Sequence, residues 1–202
     1  MKVAVIGASG RGGSRIVDEL TRRGHQVTAI ARSPEKIKAQ AGVAAVAGDL
    51  FDAGFTKLLA GHDAVVSAVH FLASDPRKLI EAVRASGVKR YLVMGGAGSL
   101  EVAPGVRLID TPAFPAMYKD EAAKGGAFLD MLRGENELDW TFLSPPALID
   151  AGARTGKFRL GKDQLLVDGE GKSHISFEDF AVALVDEIER PQHSRQRFTV
   201  GY

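Results

Sequence analysis

Three glycines, Gly7, Gly10 and Gly13, stand in a G-x-x-G-x-x-G pattern between a short apolar run at residues 3–6 and a helical stretch at residues 14–20. A strand, a glycine turn and a helix in that order can hold a nucleotide pyrophosphate against the helix N-terminus, where backbone N–H groups point outward and the helix dipole favours negative charge. The commoner G-x-G-x-x-G fingerprint needs glycine where this chain has Ser9. The requirements are otherwise the same: a tight turn, close backbone approach to phosphate, and close packing of helix on strand. Gly7, Ser9, Gly10, Arg11, Gly12 and Gly13 are therefore candidate cofactor-binding residues.

Cofactor choice turns on the end of the second strand. Folds that take NAD place Asp or Glu there, about 20 residues beyond the loop, to hold the ribose 2′-hydroxyl. This chain has Arg32 there, in Ala31-Arg32-Ser33-Pro34. A guanidinium suits a 2′-phosphate and offers nothing special to a bare hydroxyl. Arg11, within the glycine loop, could close on the same phosphate from the other side. The pair favours NADP(H) over NAD(H).

Candidates for acid–base work are sparse. Tyr118 opens a helix, as the Tyr of a Tyr-x-x-x-Lys pair would, but Ala122 stands where the Lys should be, and Lys119 and Lys124 are out of step. Without that Lys nothing lowers the phenol's pKa for proton transfer. Ser99 is the nearest serine after the fifth strand. His70 follows the fourth strand, at the edge where open α/β sheets bind ligands; it could donate a proton, touch the cofactor ribose, or be a plain loop histidine. His25, His62, His174 and His193 have no convergent partners and Cys is absent, so no metal site is expected.

These residues need a frame. Apolar runs at 3–6, 26–31, 43–47, 63–69, 89–94, 139–143 and 197–200 read as seven strands. Helical segments are expected at 34–38, 55–59, from Pro76 to a stop at Gly87, at 118–133, and from Ser176 with an acidic first turn; Gly24 would end the first helix. Strands apolar throughout and alternating with helices indicate a parallel sheet covered on both faces, a doubly wound α/β fold. Residues 95–117, rich in Gly and Pro, read as a long functional loop, with Thr111-Pro112-Ala113-Phe114-Pro115 as a possible roof over a pocket. A hairpin turning at residues 161–163 is expected within 157–167.

With 202 residues, 45% of them hydrophobic, the chain suits one domain with a real core and a small C-terminal extension on the substrate side. A net charge of +1, with both signs interspersed, gives no footprint for nucleic acid or an anionic membrane. No apolar run approaches the roughly 20 residues of a membrane span, and no signal-peptide pattern opens the chain. The expectation is a cytoplasmic monomer or homodimer that acts on a small molecule.

Residues 3–13, Ala31-Arg32-Ser33-Pro34, Gly48-Asp49-Leu50, residues 65–69 and residues 139–146 together resemble the atypical short-chain dehydrogenase/reductases of the NAD(P)H-binding, NmrA-like kind, over essentially the whole chain. That group includes flavin reductase/biliverdin reductase B and proteins named NAD-dependent epimerase/dehydratase. The resemblance implies a Rossmann-type sheet of order 3-2-1-4-5-6-7, with Asp49 and Leu50 bordering the adenine. Ala68, Val69 and His70 would line the ribose and nicotinamide side, and Gly95, Ser144, Pro145 and Pro146 would surround the nicotinamide. The expected activity is NADPH-dependent reduction of a planar acceptor such as a flavin or quinone. A non-catalytic NADP(H) sensor is the alternative, and an epimerase or dehydratase is disfavoured by the small space left after the sixth strand.

Overall fold

The computed structural model describes residues 1–202. In chain order the elements begin β1 (Lys2–Ile6), α1 (Arg11–Arg22), β2 (Gln26–Ala31), β3 (Val43–Ala47), β4 (Ala64–Ser67), α2 (Pro76–Ala85) and β5 (Arg90–Met94). There follow β6 (Glu101–Ala103), β7 (Val106–Arg107), α3 (Lys119–Arg133), β8 (Asp139–Ser144), β9 (Leu148–Asp150), β10 (Arg159–Gly161), β11 (His174–Ser176), α4 (Phe177–Glu189) and β12 (Gln196–Gly201). The central sheet runs β10-β12-β8-β5-β4-β1-β2-β3, parallel except for β10. Its seven parallel strands keep the expected 3-2-1-4-5-6-7 order, and β10 is added at the edge.

Alternation along each strand builds two cores. Val3, Val5, Val27 and Val66 face the side covered by α1 and α4, where Ile16, Leu20, Phe180 and Leu184 meet them. Ala4, Ile6, Val65, Tyr91 and Phe142 face the other side and pack on Leu79 and Val83 of α2 and on Phe128 and Leu132 of α3. Each strand inside the sheet is thus buried on both faces, which is why its sequence is apolar without interruption.

The start and stop signals mostly act as read. Asp75 accepts the N–H groups of Arg77 and Lys78 to cap α2, and Ser176 accepts that of Asp179 to cap α4. Gly24 adopts φ 78° beyond α1, and the N–H of His25 returns to Leu20.

Four readings are corrected. Residues 34–38 form only a single 3-10 turn, Pro34–Lys36, with no side-chain cap from Ser33, and residues 55–58 are likewise 3-10. Both segments are too short to gain from helix propagation. The 95–117 stretch contains the β6–β7 ribbon, which turns at Gly105 with φ 74°. No hairpin forms over 157–167. β10 pairs antiparallel with β12, and Gln164 bridges to Glu101 instead. Both halves find longer-range partners, and an isolated two-stranded hairpin would be marginally stable in water. β9 and β11, a two-stranded parallel sheet joining residues 148–150 to 174–176, were not foreseen.

Candidate nucleotide site and its acceptor side

The glycine loop sits at the C-terminal edge of β1, between the ends of β2 and β4. The carbonyl of Ile30 accepts the N–H groups of both Gly7 and Ala8, at 2.9 and 3.1 Å, which pins the loop to β2. Gly7 has φ +82°, and a Cβ there would lie 2.4 Å from the carbonyl oxygen of Ala68. A Cβ on Gly13 would lie 2.1 Å from the carbonyl oxygen of Gly7, so the first turn of α1 packs directly on the loop. Gly12 is closed by the Met94 side chain, with Sδ 2.3 Å from a notional Cβ, whereas Gly10 has 3.3 Å to Gly7 O. The spacing therefore encodes backbone against backbone at Gly7 and Gly13, and freer packing at Gly10.

The N-terminus of α1 is bare. Gly10 provides no side-chain cap and the first turn holds no acid. The N–H groups of Arg11, Gly12 and Gly13 have no acceptor within the chain. Orphan donors at a helix N-terminus, lined by glycine, fit a pyrophosphate. Arg32 follows β2 directly and is exposed, without an ion-pair partner. Arg11 is turned elsewhere: its guanidinium pairs with Asp150 of β9 and lies 5.0 Å from the Phe177 ring centroid. The two arginines are not brought together on one phosphate, because Asp150 and Phe177 offer Arg11 a nearer anion and ring.

Asp49 and Leu50 are half-buried after β3, and Asp49 Oδ1 accepts the N–H of Phe51. Ala68 and Val69 lie against Gly7, where the ends of β1 and β4 meet. Gly95 is packed under Phe142, with Cε1 2.2 Å from a notional Cβ. Ser144 is fully buried, its Oγ 3.4 Å from Arg197 and its carbonyl bound to Thr199, and Pro145 is buried beside it. These two contribute shape and backbone at the end of β8, not a free side chain.

The acid–base candidates separate. Tyr118 is half-exposed just before α3, with no partner for its hydroxyl. The position one turn on, where a catalytic Lys would sit, is filled by Ala122, and a Cβ on Gly98 would lie 2.7 Å from that of Ala122. The 95–100 loop lies against α3 there, and Ala122 itself is partly exposed. His70 is exposed, with Nδ1 3.4 Å from Glu121 of α3.

Sequence reading missed two residues that shape this edge. Glu121 accepts the N–H groups of Phe71 and Leu72 at 2.7 and 2.8 Å. Arg197 of β12 is buried and reaches Asp163, Ser99 and Ser144, tying the 162–165 segment to the loop after β5. Neither role has a local signature: Glu121 reads as an ordinary acidic first-turn residue, and Arg197 as part of an edge strand.

The NAD(P)H-binding family matches residues 7–191. A solved structure from Burkholderia pseudomallei, provisionally named an exported protein, is 46% identical over the full length of both chains with a TM-score of 0.90. One from Bacteroides thetaiotaomicron, provisionally named an epimerase, is 42% identical over 100% of this chain and 96% of its own, with a TM-score of 0.94. One from Streptococcus pneumoniae, provisionally named an NADH-flavin reductase, is 39% identical over 100% and 99%, with a TM-score of 0.85. No helix is long and apolar enough to cross a membrane. With a pinned glycine loop, a bare helix N-terminus and a Rossmann-type sheet, the chain belongs to the NAD(P)H-binding family and is built on an atypical short-chain dehydrogenase/reductase scaffold.

Proposed function

We propose that the protein is an NADPH-dependent reductase of a small planar acceptor, a flavin or a quinone. The observation that carries this reading is the pairing of a complete pyrophosphate cradle with an acceptor side that carries no Tyr–Lys pair, since Ala122 stands four residues after Tyr118. When bound, a reduced nicotinamide supplies a hydride. The chain's own part is to hold the pyrophosphate on the N–H groups of Arg11, Gly12 and Gly13 and the 2′-phosphate on Arg32. An acceptor such as a flavin or quinone needs no strong internal base, because its reduced form can take protons from water.

The pneumococcal neighbour's name supports the flavin and names NADH as donor; Arg32 is the reason for preferring NADPH here. Purified protein should oxidise NADPH well above background when FMN or a quinone is added, and oxidise NADH less efficiently. Tight NADPH binding with no turnover across a broad acceptor screen would overturn the reductase reading in favour of an NADP(H) sensor, which the missing Tyr–Lys pair equally permits.

A further inference from the structure

We propose that Glu121 and His70 form the proton-delivering arm of the acceptor pocket, with His70 as the donor and Glu121 as the residue that positions it. This rests on the reductase reading. The loop after β4 is held from two sides. Phe71 is buried against Gly125, with its ring 6.2 Å from that of Phe128 in an edge-on arrangement. Glu121 grips the N–H groups of Phe71 and Leu72 with one carboxylate oxygen each. Two charge-assisted hydrogen bonds to consecutive amides fix the backbone more firmly than a surface ion pair could.

What this holding achieves is the placement of His70. Its side chain is 89% exposed and stands one residue past Val69, whose Cγ1 lies against Gly7 of the nucleotide loop. Glu121 Oε1 is 3.4 Å from His70 Nδ1, which leaves Nε2 free to face a ligand. Glu121 is the charged group facing the ring; Asp75, further along the same segment, is committed to the N-terminus of α2. Leu72, at 53% exposure, is tied by the same clamp to α3, and Met117 and Tyr118, at 80% and 56%, lie one turn before Glu121. An ionisable group beside exposed apolar side chains suits a flat, conjugated acceptor. Two-electron reduction of such an acceptor takes up one hydride and one proton. The His70 imidazolium releases the proton from Nε2 to the acceptor atom made basic by hydride addition, and the neutral ring is recharged from solvent.

The test compares the wild type with Glu121→Gln and His70→Ala by NADPH affinity, by kcat with FMN or a quinone, and by amide hydrogen exchange without cofactor. Glutamine offers one acceptor and turns a donor toward the second N–H, so exchange at Phe71 and Leu72 should quicken about tenfold or more in Glu121→Gln. Glu121→Gln should keep NADPH affinity within about twofold, and at saturating NADPH kcat should fall at least tenfold in both variants, within the range of general-acid catalysis. Added imidazole should restore part of the His70→Ala rate. Unchanged kcat in His70→Ala, or a weakened NADPH affinity with kcat intact at saturation, would overturn the proposal and leave the reductase reading standing. Unchanged exchange in Glu121→Gln would overturn the clamp. A wild type that turns over no acceptor would sink the reductase reading itself.

Discussion

Each glycine of the loop has its own neighbour, and the neighbours rank the cost of adding a methyl group. Gly13→Ala drives Cβ into the Gly7 carbonyl, backbone that cannot step aside, and should cost about 1–3 kcal/mol or more and abolish nucleotide binding. Gly12→Ala meets the tip of the flexible Met94 and should cost less. Gly10→Ala, with 3.3 Å to its nearest neighbour, should be the mildest of the three. Thermal unfolding of the three proteins should fall in that order, and a Gly10→Ala as damaging as Gly13→Ala would contradict this ranking. At Arg32 the prediction concerns discrimination. Losing a charge-assisted contact to phosphate is worth about 1.5–3 kcal/mol, so Arg32→Ser should weaken NADPH roughly 10- to 100-fold. NADH should change little. Equal losses for both cofactors in calorimetry would remove the 2′-phosphate argument.

Among elements, α1 is the hub, and its buried Glu19 is the means. Arg154, from the segment after β9, meets Glu19 through two hydrogen bonds of 2.7 and 2.8 Å, and Arg23 adds a third. Thr155 and Gly156 are held in turn by the buried Asp179 of α4, which also accepts the Tyr202 hydroxyl. Two carboxylates on neighbouring helices thus staple an otherwise irregular segment to the α1–α4 face. Burial pushes the Glu19 carboxyl up, but the hydrogen bonds from Arg154 and Arg23 outweigh it and hold the group below its ordinary 4.5. A carboxyl with a lowered folded-state value contributes stability above its unfolded value and loses it as pH falls through the folded one. Urea midpoints should therefore drop as pH goes from about 5 to about 3, and Glu19→Gln should start lower and show a shallower slope. A variant with the wild-type slope would assign the acid sensitivity elsewhere, to Glu178 or Glu189, which are held low as well.

At the scale of the whole molecule, the sheet separates two kinds of charge. The C-terminal edge carries the nucleotide loop; the opposite edge, where β5 and β8 begin, carries the ion pair of Arg90 and Glu187, 8% and 4% exposed, with His193 on the second Glu187 oxygen. Removing one partner strands a buried charge. Glu187→Ala should cost about 3–5 kcal/mol, read as a lowered unfolding midpoint, while NADPH affinity at the far edge stays unchanged. A double replacement of Arg90 and Glu187 by apolar residues of similar volume should recover most of the loss.

Seven strands, the glycine loop, the caps at Asp75 and Ser176 and the stop at Gly24 were legible because each depends on local chemistry: apolar runs, a short polar side chain, a missing Cβ; the order of the strands in the sheet came from the family resemblance. So was the absence of a Tyr–Lys pair, a matter of spacing alone. The strand role of residues 159–161, the sheet of β9 and β11, the turn of Arg11 toward Asp150 and the grip of Glu121 on the β4 loop were decided by tertiary structure. Each is a pairing between residues far apart in the chain, chosen by which donor or acceptor the packed sheet leaves unmet. The glycine loop is written within a single βα turn; the contacts that hold the loops after β4 and β5 join residues far apart in the chain.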